Sequence, residues 1–135
     1  GRGGDGGGAG ARAVAGGGLA GVPEVDIAEG TWKYVQIRLR GGAGAGEKTV
    51  VRNTAGLPYH PDMYDHAMHA LRPLGISGEV VGGGRIAYNP GARTVEVYGY
   101  SKSFGRAVGC NERSAEIIRR NFPDDHKVTW SDDGY

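Results

Sequence analysis

Three histidines and two aspartates lie close together in the stretch YHPDMYDHAMHA, residues 59–70. They are His60, Asp62, Asp65, His66 and His69. Histidine and carboxylate side chains at this spacing are typical of metal sites, and a neutral histidine is also the commonest general base near pH 7. The stretch therefore predicts either a shared metal site or one histidine that acts while its neighbours face water.

A helical pattern over residues 61–74 separates His60 from the others. Pro61 disfavours helical backbone at the preceding residue and suits the first helical position, so we expect His60 just outside the helix entrance. A helical wheel places the apolar side chains on one side and four polar ones on the other. The polar side carries Asp62, Asp65, His66 and His69. We interpret it as a solvent-exposed face with aspartate–histidine pairs at i,i+4; the alternative is a surface metal site.

His60 occupies a different environment from those four residues. The positive end of the helix dipole favours a neutral imidazole over an imidazolium. Because a general base or a nucleophile must be neutral near pH 7, His60 is the candidate for chemistry in this stretch.

A strand that could position a partner for His60 is TWKYVQIRLR, residues 31–40. Its alternation puts Val35, Ile37 and Leu39 on one face, and Lys33 falls on that face as well. A lysine at the end of an apolar row is either an edge residue whose stem covers apolar surface or a charge directed into a pocket.

The remaining elements predict one α/β domain. A strand at 47–54 is followed by the helix over 61–74 and by a hairpin of strands 78–89 and 92–101. Three glycines within the first hairpin strand, Gly82 to Gly84, indicate a bulge or the close approach of a backbone or ligand. A helix capped by Asn111 and a last strand at 126–132 complete the pattern. We expect a mixed sheet of about five to six strands flanked by two helices.

Composition excludes several classes of protein. A net charge of +1 over 135 residues argues against a general nucleic-acid binder. Cys110 is the only cysteine, so there is no disulfide framework or cysteine zinc site, which fits a reducing compartment. No apolar run approaches the roughly 20 residues that span a bilayer. We therefore expect a cytoplasmic monomer with no membrane partner.

The glycine-rich segment 1–22 predicts a disordered tail, followed by a folded domain over 23–135. Residues 16–21 match GxGxxG but lack the flanking strand and helix of a dinucleotide site, and 41–49 is not a P-loop because Glu47 interrupts the motif. A transit peptide in the Gly-, Ala- and Arg-rich N-terminus remains open, as does an RNA-binding role of its single GRGG, which the near-neutral charge disfavours.

Several motifs from Pro23 to Tyr135 closely resemble the phosphohistidine phosphatase family, also called the Janus/ocnus family. They are WKYV, YHPDMYD, VVGGGRI, VEVYGYSKSFG and VTWSDDGY. The resemblance implies a single-domain enzyme, independent of metals and cofactors, that removes phosphate from phosphohistidine in proteins. It also implies a mixed sheet flanked by two helices.

The resemblance assigns roles to individual residues. The family's catalytic histidine falls on His60 and its substrate-binding lysine on Lys33. Its phosphate loop falls on Ser101, Lys102 and Ser103. The arginine of its GGGR motif falls on Arg85, and a further basic residue near its site falls on Arg52. The chain departs from the family in RAVGCNERS, which is longer and lacks a histidine, and in NTAGLP, which lacks an aromatic residue. These departures affect the rim of the expected pocket.

The implied chemistry needs no metal. Backbone N–H groups of Ser101 to Ser103 can form an anion cradle, with positive charge from Lys33 and Arg85, while His60 either activates water or attacks phosphorus. Cysteine phosphatase chemistry is excluded because Glu116 stands where Cys-x5-Arg requires arginine, so Cys110 is a spectator. The alternative is a module that binds phosphate or phosphoproteins without turnover.

Overall fold

The computed structural model describes residues 18–41 and 46–133. Its elements are β1 (Val25–Asp26), β2 (Gly30–Gly41), β3 (Glu47–Arg52), α1 (His60–Met68), β4 (Ile76–Asn89), β5 (Thr94–Tyr98), α2 (Cys110–Asn121) and β6 (Lys127–Trp130). The strands form one mixed sheet in the order β1-β3-β2-β4-β5-β6. The prediction of a single α/β domain with two helices is confirmed.

The centre of the sheet is the long antiparallel pair β2 and β4. Strand β3 lies antiparallel to β2 and strand β5 antiparallel to β4, while the short edge strands β1 and β6 run parallel to their neighbours. The register shifts where Gln36 pairs with Gly82 but Ile37 pairs with Val80, so Val81 is bulged. The glycine-rich stretch of β4 thus contains the bulge that its sequence indicated.

Two apolar cores pack against opposite faces of the sheet. Helix α1 covers the face on which β2 presents Val35, Ile37 and Leu39, and its own Met63 and Met68 are buried there. Helix α2 covers the other face, where the buried side chains are Tyr34, Ile86, Val95, Val97 and Ile118. Because each such apolar side chain contributes about 1.5–3 kcal/mol on burial, the two cores hold both helices in place.

Helix α1 is shorter than the predicted span 61–74. It ends at Met68, and a separate 3-10 turn follows over Arg72–Leu74. Pro73 cannot donate an N–H to a continuing helix and disfavours helical backbone before it, which explains the early end. Leu74, placed on the apolar side by the wheel, is 43% exposed as a result.

The polar side of α1 is exposed as predicted. Its four members are all solvent-exposed: Asp62, Asp65, His66 and His69. Neither expected aspartate–histidine pair forms a side-chain contact among the described residues, and Asp65 instead contacts Arg72 at 3.2 Å.

The packed part of the chain reaches into the segment predicted to be a tail. Gly18–Gly21 forms a 3-10 turn, and both Leu19 and Val22 are buried in the α1 core. Lys48 donates hydrogen bonds to the carbonyl oxygens of Leu19 and Ala20, at 2.9 and 3.4 Å. The rest of the predicted tail lies outside the described residues.

Candidate active site

His60 is the first residue of α1, one position further into the helix than expected. The N-cap is Tyr59, with an extended backbone at φ −125° and ψ 146°, and its carbonyl accepts the hydrogen bond of the Met63 amide at 3.2 Å. The expectation that Pro61 would hold His60 outside the helix is therefore wrong by one residue. The tertiary contacts of the His60 side chain, which is only 3% exposed, supply the physical reason.

The imidazole of His60 is held by the backbone of β4. Its Nε2 atom lies 3.0 Å from the carbonyl oxygen of Gly84. A carbonyl oxygen only accepts, so this hydrogen bond places the ring proton on Nε2. In the neutral ring Nδ1 then carries the free lone pair, which makes Nδ1 the atom able to take a proton or attack an electrophile.

The surroundings of His60 favour its neutral form. Burial lowers the pKa of His60, and the positive charges of Lys33 and Arg85 lower it further, while the hydrogen bond to Gly84 acts in the opposite direction. The pKa of His60 therefore lies below its ordinary value of 6.5, and the imidazole is neutral at pH 7.

Two glycines of β4 make room for side chains on opposite faces of the sheet. A Cβ atom at Gly83 would lie 3.0 Å from Cδ2 of His60 and 2.7 Å from the carbonyl oxygen of Tyr34. A Cβ atom at Gly82 would collide with the thiol of Cys110 on the other face. The glycine run is thus a place of close approach, and the bulge lies at Val81, directly before it.

Lys33 and Arg85 bring two positive charges to the same face as His60. They are directly paired between β2 and β4, so their side chains project side by side. The ammonium of Lys33 lies 5.4 Å from the centre of the Tyr59 ring. The Nε atom of Arg85 is buried and has no hydrogen-bond partner among the described residues. Two cations and an unsatisfied donor beside a neutral imidazole are suited to an anionic ligand.

The loop after β5 begins next to the carbonyl partner of His60. A Cβ atom at Gly84 would lie 3.1 Å from the carbonyl group of Gly99, two residues before Ser101. Ser101 is buried, its Oγ accepts from the Phe104 amide at 3.0 Å, and its carbonyl accepts from Gly105 at 2.8 Å.

The four residues after Ser101 in this loop, Lys102 to Gly105, are all exposed. An antiparallel bridge between Ser101 and Gly105 closes the loop and uses the amides of both residues, and the Phe104 amide donates to Oγ of Ser101. Within the described part of the chain the amide of Ser103 has no acceptor, and it is therefore available to an anion.

Arg52 is not brought into contact with the other candidates. Its guanidinium donates to the carbonyl oxygens of Pro23 at 2.5 Å and Val51 at 3.0 Å. Burial lowers its pKa to about 10, opposed by the charge of Asp26. In this arrangement Arg52 ties β3 to the segment that precedes β1.

Comparison with known proteins places most of the described region in one family. The sequence model of the Janus/Ocnus family (Ocnus) matches residues 19–126. The chain belongs to the Janus/Ocnus family. A 14 kDa phosphohistidine phosphatase from Sus scrofa is 42% identical over 123 residues, covering 87% of this chain and 95% of the relative. The Homo sapiens protein of the same name is 41% identical, with 87% and 96% covered. Sex-regulated protein janus-A from Drosophila orena is 40% identical over 118 residues, with 87% and 84% covered.

A buried polar network behind the site of this Janus/Ocnus domain was not predicted as such. Asn111 was expected to cap α2, but the N-cap is Gly109, with φ 80°, and Asn111 is buried in the first turn. Its Nδ2 donates to the carbonyl oxygens of Gly99 at 2.7 Å and Ser131 at 2.9 Å, and its Oδ1 accepts from the hydroxyl of Tyr34 at 2.6 Å. Asn111 thereby joins β2, the start of the 101–105 loop and the end of β6.

The network also surrounds the single cysteine of the Janus/Ocnus domain. The Sγ atom of Cys110 lies 3.4 Å from the hydroxyl of Tyr34, which also accepts from Ser114 at 3.0 Å. Burial raises the pKa of both the Cys110 thiol and the Tyr34 hydroxyl. A sequence signal existed here: polar residues Gln36, Asn111 and Ser114 stand on otherwise apolar faces, where each needs a buried partner.

Two wider features of the described residues bear on the site. No group of three or more His, Cys, Asp or Glu side chains among them is arranged to hold a metal ion. None of the helices in ranges 18–41 and 46–133 is long and apolar enough to cross a membrane.

Proposed function

We propose that this chain is a protein histidine phosphatase that hydrolyses the P–N bond of phosphohistidine without a metal ion. The observation that carries the proposal is the state of His60: a buried, neutral imidazole with Nε2 bound to Gly84 and two cations on the same face. Relatives named 14 kDa phosphohistidine phosphatase at 42% and 41% identity support it.

In this proposal the phosphoryl group is bound by Lys33, Arg85 and the amides of the 101–103 loop. These groups stabilise negative charge on the equatorial oxygens as the P–N bond breaks. Lys102 and Ser103 are exposed, and in this proposal they contact the substrate protein. Arg52 contributes at most through the backbone that it holds, because its guanidinium binds the carbonyl oxygens of Pro23 and Val51.

Nδ1 of His60 has two routes open to it. As a general base it takes a proton from water while the water oxygen bonds to phosphorus and the P–N bond breaks. The substrate imidazole, already protonated on its other nitrogen, leaves as a neutral ring. As a nucleophile it bonds to phosphorus while the substrate P–N bond breaks, and the substrate imidazole, already protonated on its other nitrogen, leaves as a neutral ring. Water then attacks phosphorus, breaks the new P–N bond to His60 and releases phosphate. Alkaline quenching followed by mass spectrometry separates the routes, since only the second places phosphate on His60.

A binding module without turnover is the second candidate. Relatives named sex-regulated protein janus-A are as similar to the chain, at 40% identity, and that name states no activity. An anion site made by Lys33, Arg85 and the loop amides would serve such a module equally well. Turnover therefore has to be measured separately from binding.

The test is phosphate release from a phosphohistidine peptide in excess EDTA. We expect the wild-type chain to release phosphate and His60→Ala to bind the peptide without releasing it. Full activity of His60→Ala would remove His60 from the mechanism, and inhibition by EDTA would show that a metal takes part. Binding without turnover by the wild-type chain would favour the binding module.

The same proposal has the chain act as a monomer in the cytoplasm. The lone, buried Cys110 supports a reducing compartment, since no disulfide can form within the chain. Sedimentation of the purified chain tests the monomer, and imaging of the tagged chain in cells tests the compartment.

A further inference from the structure

One half of the sheet face that carries Lys33 and Arg85 is not covered by either helix. Helix α1 packs over the half with Val35, Ile37 and Leu39, and α2 packs on the opposite face. Towards the start of β2, the uncovered half presents two rows of paired residues. The first row is Lys33, Arg85 and Tyr98, and the second lies two residues away along each strand. This second row consists of Thr31, Ala87, Glu96 and Thr129.

The second row is the floor of a groove with a volume of about 790 Å³. We call it the strand groove; its floor is Thr31, Ala87, Glu96 and Thr129, and its walls include Glu29, Asn89, Thr94 and Lys127. The floor is polar, and Thr31, Glu96 and Thr129 are exposed. Hydroxyl groups on an open sheet face suit the backbone of an extended chain, which needs hydrogen-bond partners along its length.

The strand groove begins where the phosphate-binding cations end. Ala87 follows Arg85 by two residues on the same face of β4, a spacing of about 7 Å along a strand. An extended polypeptide advances about 3.3 Å per residue, so residues two or three positions from a bound phosphohistidine reach Glu96. The groove is therefore placed to receive the chain that carries the phosphoryl group.

The charge of the strand groove is opposite to that of the phosphate site. Glu29 and Glu96 contribute two carboxylates, and neither forms an ion pair or side-chain hydrogen bond with any other residue in the described ranges. The one cation of the walls, Lys127, pairs with Thr94 in the row furthest from Arg85. Unpaired carboxylates next to a cationic anion site complement a ligand that is anionic at one point and basic beside it.

We propose that the strand groove binds the extended segment of a protein substrate that flanks its phosphohistidine, and that it selects lysine or arginine there. The proposal rests on the proposed function for the identity of the phosphorylated residue. In this arrangement Glu96 is a specificity-determining residue: it contacts the flanking chain and takes no part in breaking the P–N bond.

The test compares two peptides that each contain one phosphohistidine. One peptide has lysine, and the other alanine, at the residues two and three positions before and after the phosphohistidine. We expect the wild-type chain to prefer the lysine peptide through a lower KM. The double variant Glu29→Gln/Glu96→Gln lacks both carboxylates that would pair with the peptide lysines. Its preference for the lysine peptide over the alanine peptide should be about three- to tenfold smaller than that of the wild-type chain. Glu112→Gln, an exposed change on α2 at the opposite face, is the matched control and should keep the wild-type preference. Glu96→Lys should favour a peptide with glutamate at the same positions.

Two outcomes would overturn the strand groove as a docking site. One is an equal preference ratio in the wild-type chain and the double variant. The other is a dimer in solution that Glu96→Lys dissociates, which would assign the groove to a second copy of the chain.

A binding measurement separates failure of this proposal from failure of the proposed function. The same peptides carrying a non-hydrolysable phosphohistidine analogue are titrated against each variant by fluorescence anisotropy. If turnover is absent but the lysine peptide binds more tightly and the double variant removes that difference, the groove stands and catalysis does not. If the chain hydrolyses phosphoramidate but binds both peptides equally well, catalysis stands and the strand groove does not.

Discussion

The Nε2 atom of His60 lies 3.0 Å from the carbonyl oxygen of Gly84, and this one hydrogen bond sets the tautomer of the ring. This hydrogen bond joins the first residue of α1 to the middle of β4, close to the last residue of β5. The orientation of Nδ1 depends on the position of a strand backbone, and several expected effects of substitution follow from that dependence.

Gly83→Ala should damage the site more than the fold. The new methyl group would lie 3.0 Å from the His60 ring and 2.7 Å from the Tyr34 carbonyl oxygen, so the imidazole or the strand must shift. We expect the free energy of unfolding to fall by about 1–3 kcal/mol and kcat to fall at least tenfold, measured by denaturant titration and phosphate release. Gly91→Ala, in the hairpin turn where the nearest atom is 3.4 Å away, is the control. Unchanged kcat in Gly83→Ala would show that the ring does not need its present position.

The pH dependence of kcat/KM should report the lowered pKa of His60. Burial and the charges of Lys33 and Arg85 hold that pKa below 6.5, so activity should persist as the pH falls to 6.5 and be lost only below it. Lys33→Met removes one of the charges, so the acid limb should move to higher pH. Arg40→Met, at the far end of β2, should leave the limb in place. A limb that does not move in Lys33→Met would exclude Lys33 as a cause of the shift.

Stability should follow the same group. A histidine whose pKa is lower when folded than when unfolded binds more protons in the unfolded state once the pH falls below about 6.5. The free energy of unfolding should therefore decrease as the pH falls from 6.5 through the folded pKa. His60→Ala should flatten this part of the curve, which equilibrium unfolding at several pH values would reveal.

Asn111→Ala should loosen the 101–105 loop through the Gly99 carbonyl. The change removes the donor to the Gly99 and Ser131 carbonyl oxygens and the acceptor of the Tyr34 hydroxyl, at a cost of about 1–3 kcal/mol in the free energy of unfolding. Because the loop amides bind phosphate in the proposed function, we expect KM to rise more than kcat falls. Asn121→Ala, which removes side-chain contacts with Glu24 and with the Ile117 carbonyl oxygen at the far end of α2, is the control. An equal loss in both variants would argue against a special role of Asn111.

Truncation should show that residues 18–22 belong to the folded domain. A chain beginning at residue 23 lacks the buried Leu19 and Val22 and exposes the apolar surface that they cover. Compared with a chain beginning at residue 18, it should be less stable by about 2–4 kcal/mol, as judged by thermal and denaturant unfolding. Equal stability of the two truncated chains would place the domain boundary at Pro23 after all.

The sequence predicted the elements whose period is long enough to measure. The alternation in β2 and the hairpin of strands 78–89 and 92–101 identified most of the sheet. Strand β1 was missed because two residues carry no period. The helix ends differed from the predictions for two reasons. Pro73, close in sequence, shortens α1, whereas Asn111 turns inward to bond with Gly99 instead of capping α2.

The candidate site was accessible from sequence only in part. Alternation placed Lys33 on the face where it lies beside Arg85, and the family resemblance supplied the reason to join them to His60. The role of the Gly84 carbonyl group as the partner of His60 could not be predicted. Every residue has a backbone carbonyl group, so the sequence does not show which one accepts the hydrogen bond. Arg52 remains a site prediction whose side chain, in the structure, binds backbone carbonyl groups instead.

Gly82 and Gly83 face opposite sides of β4, and neither has a side chain to separate the layers. At this point the wall between the two cores is one backbone thick, with Cys110 against one surface and His60 against the other. Added volume on either surface cannot be absorbed by rotamer changes within the strand. A chemical adduct on the Cys110 thiol would therefore push the wall towards the imidazole, so the helix at the back of the sheet and the histidine at the front cannot accept mutations independently.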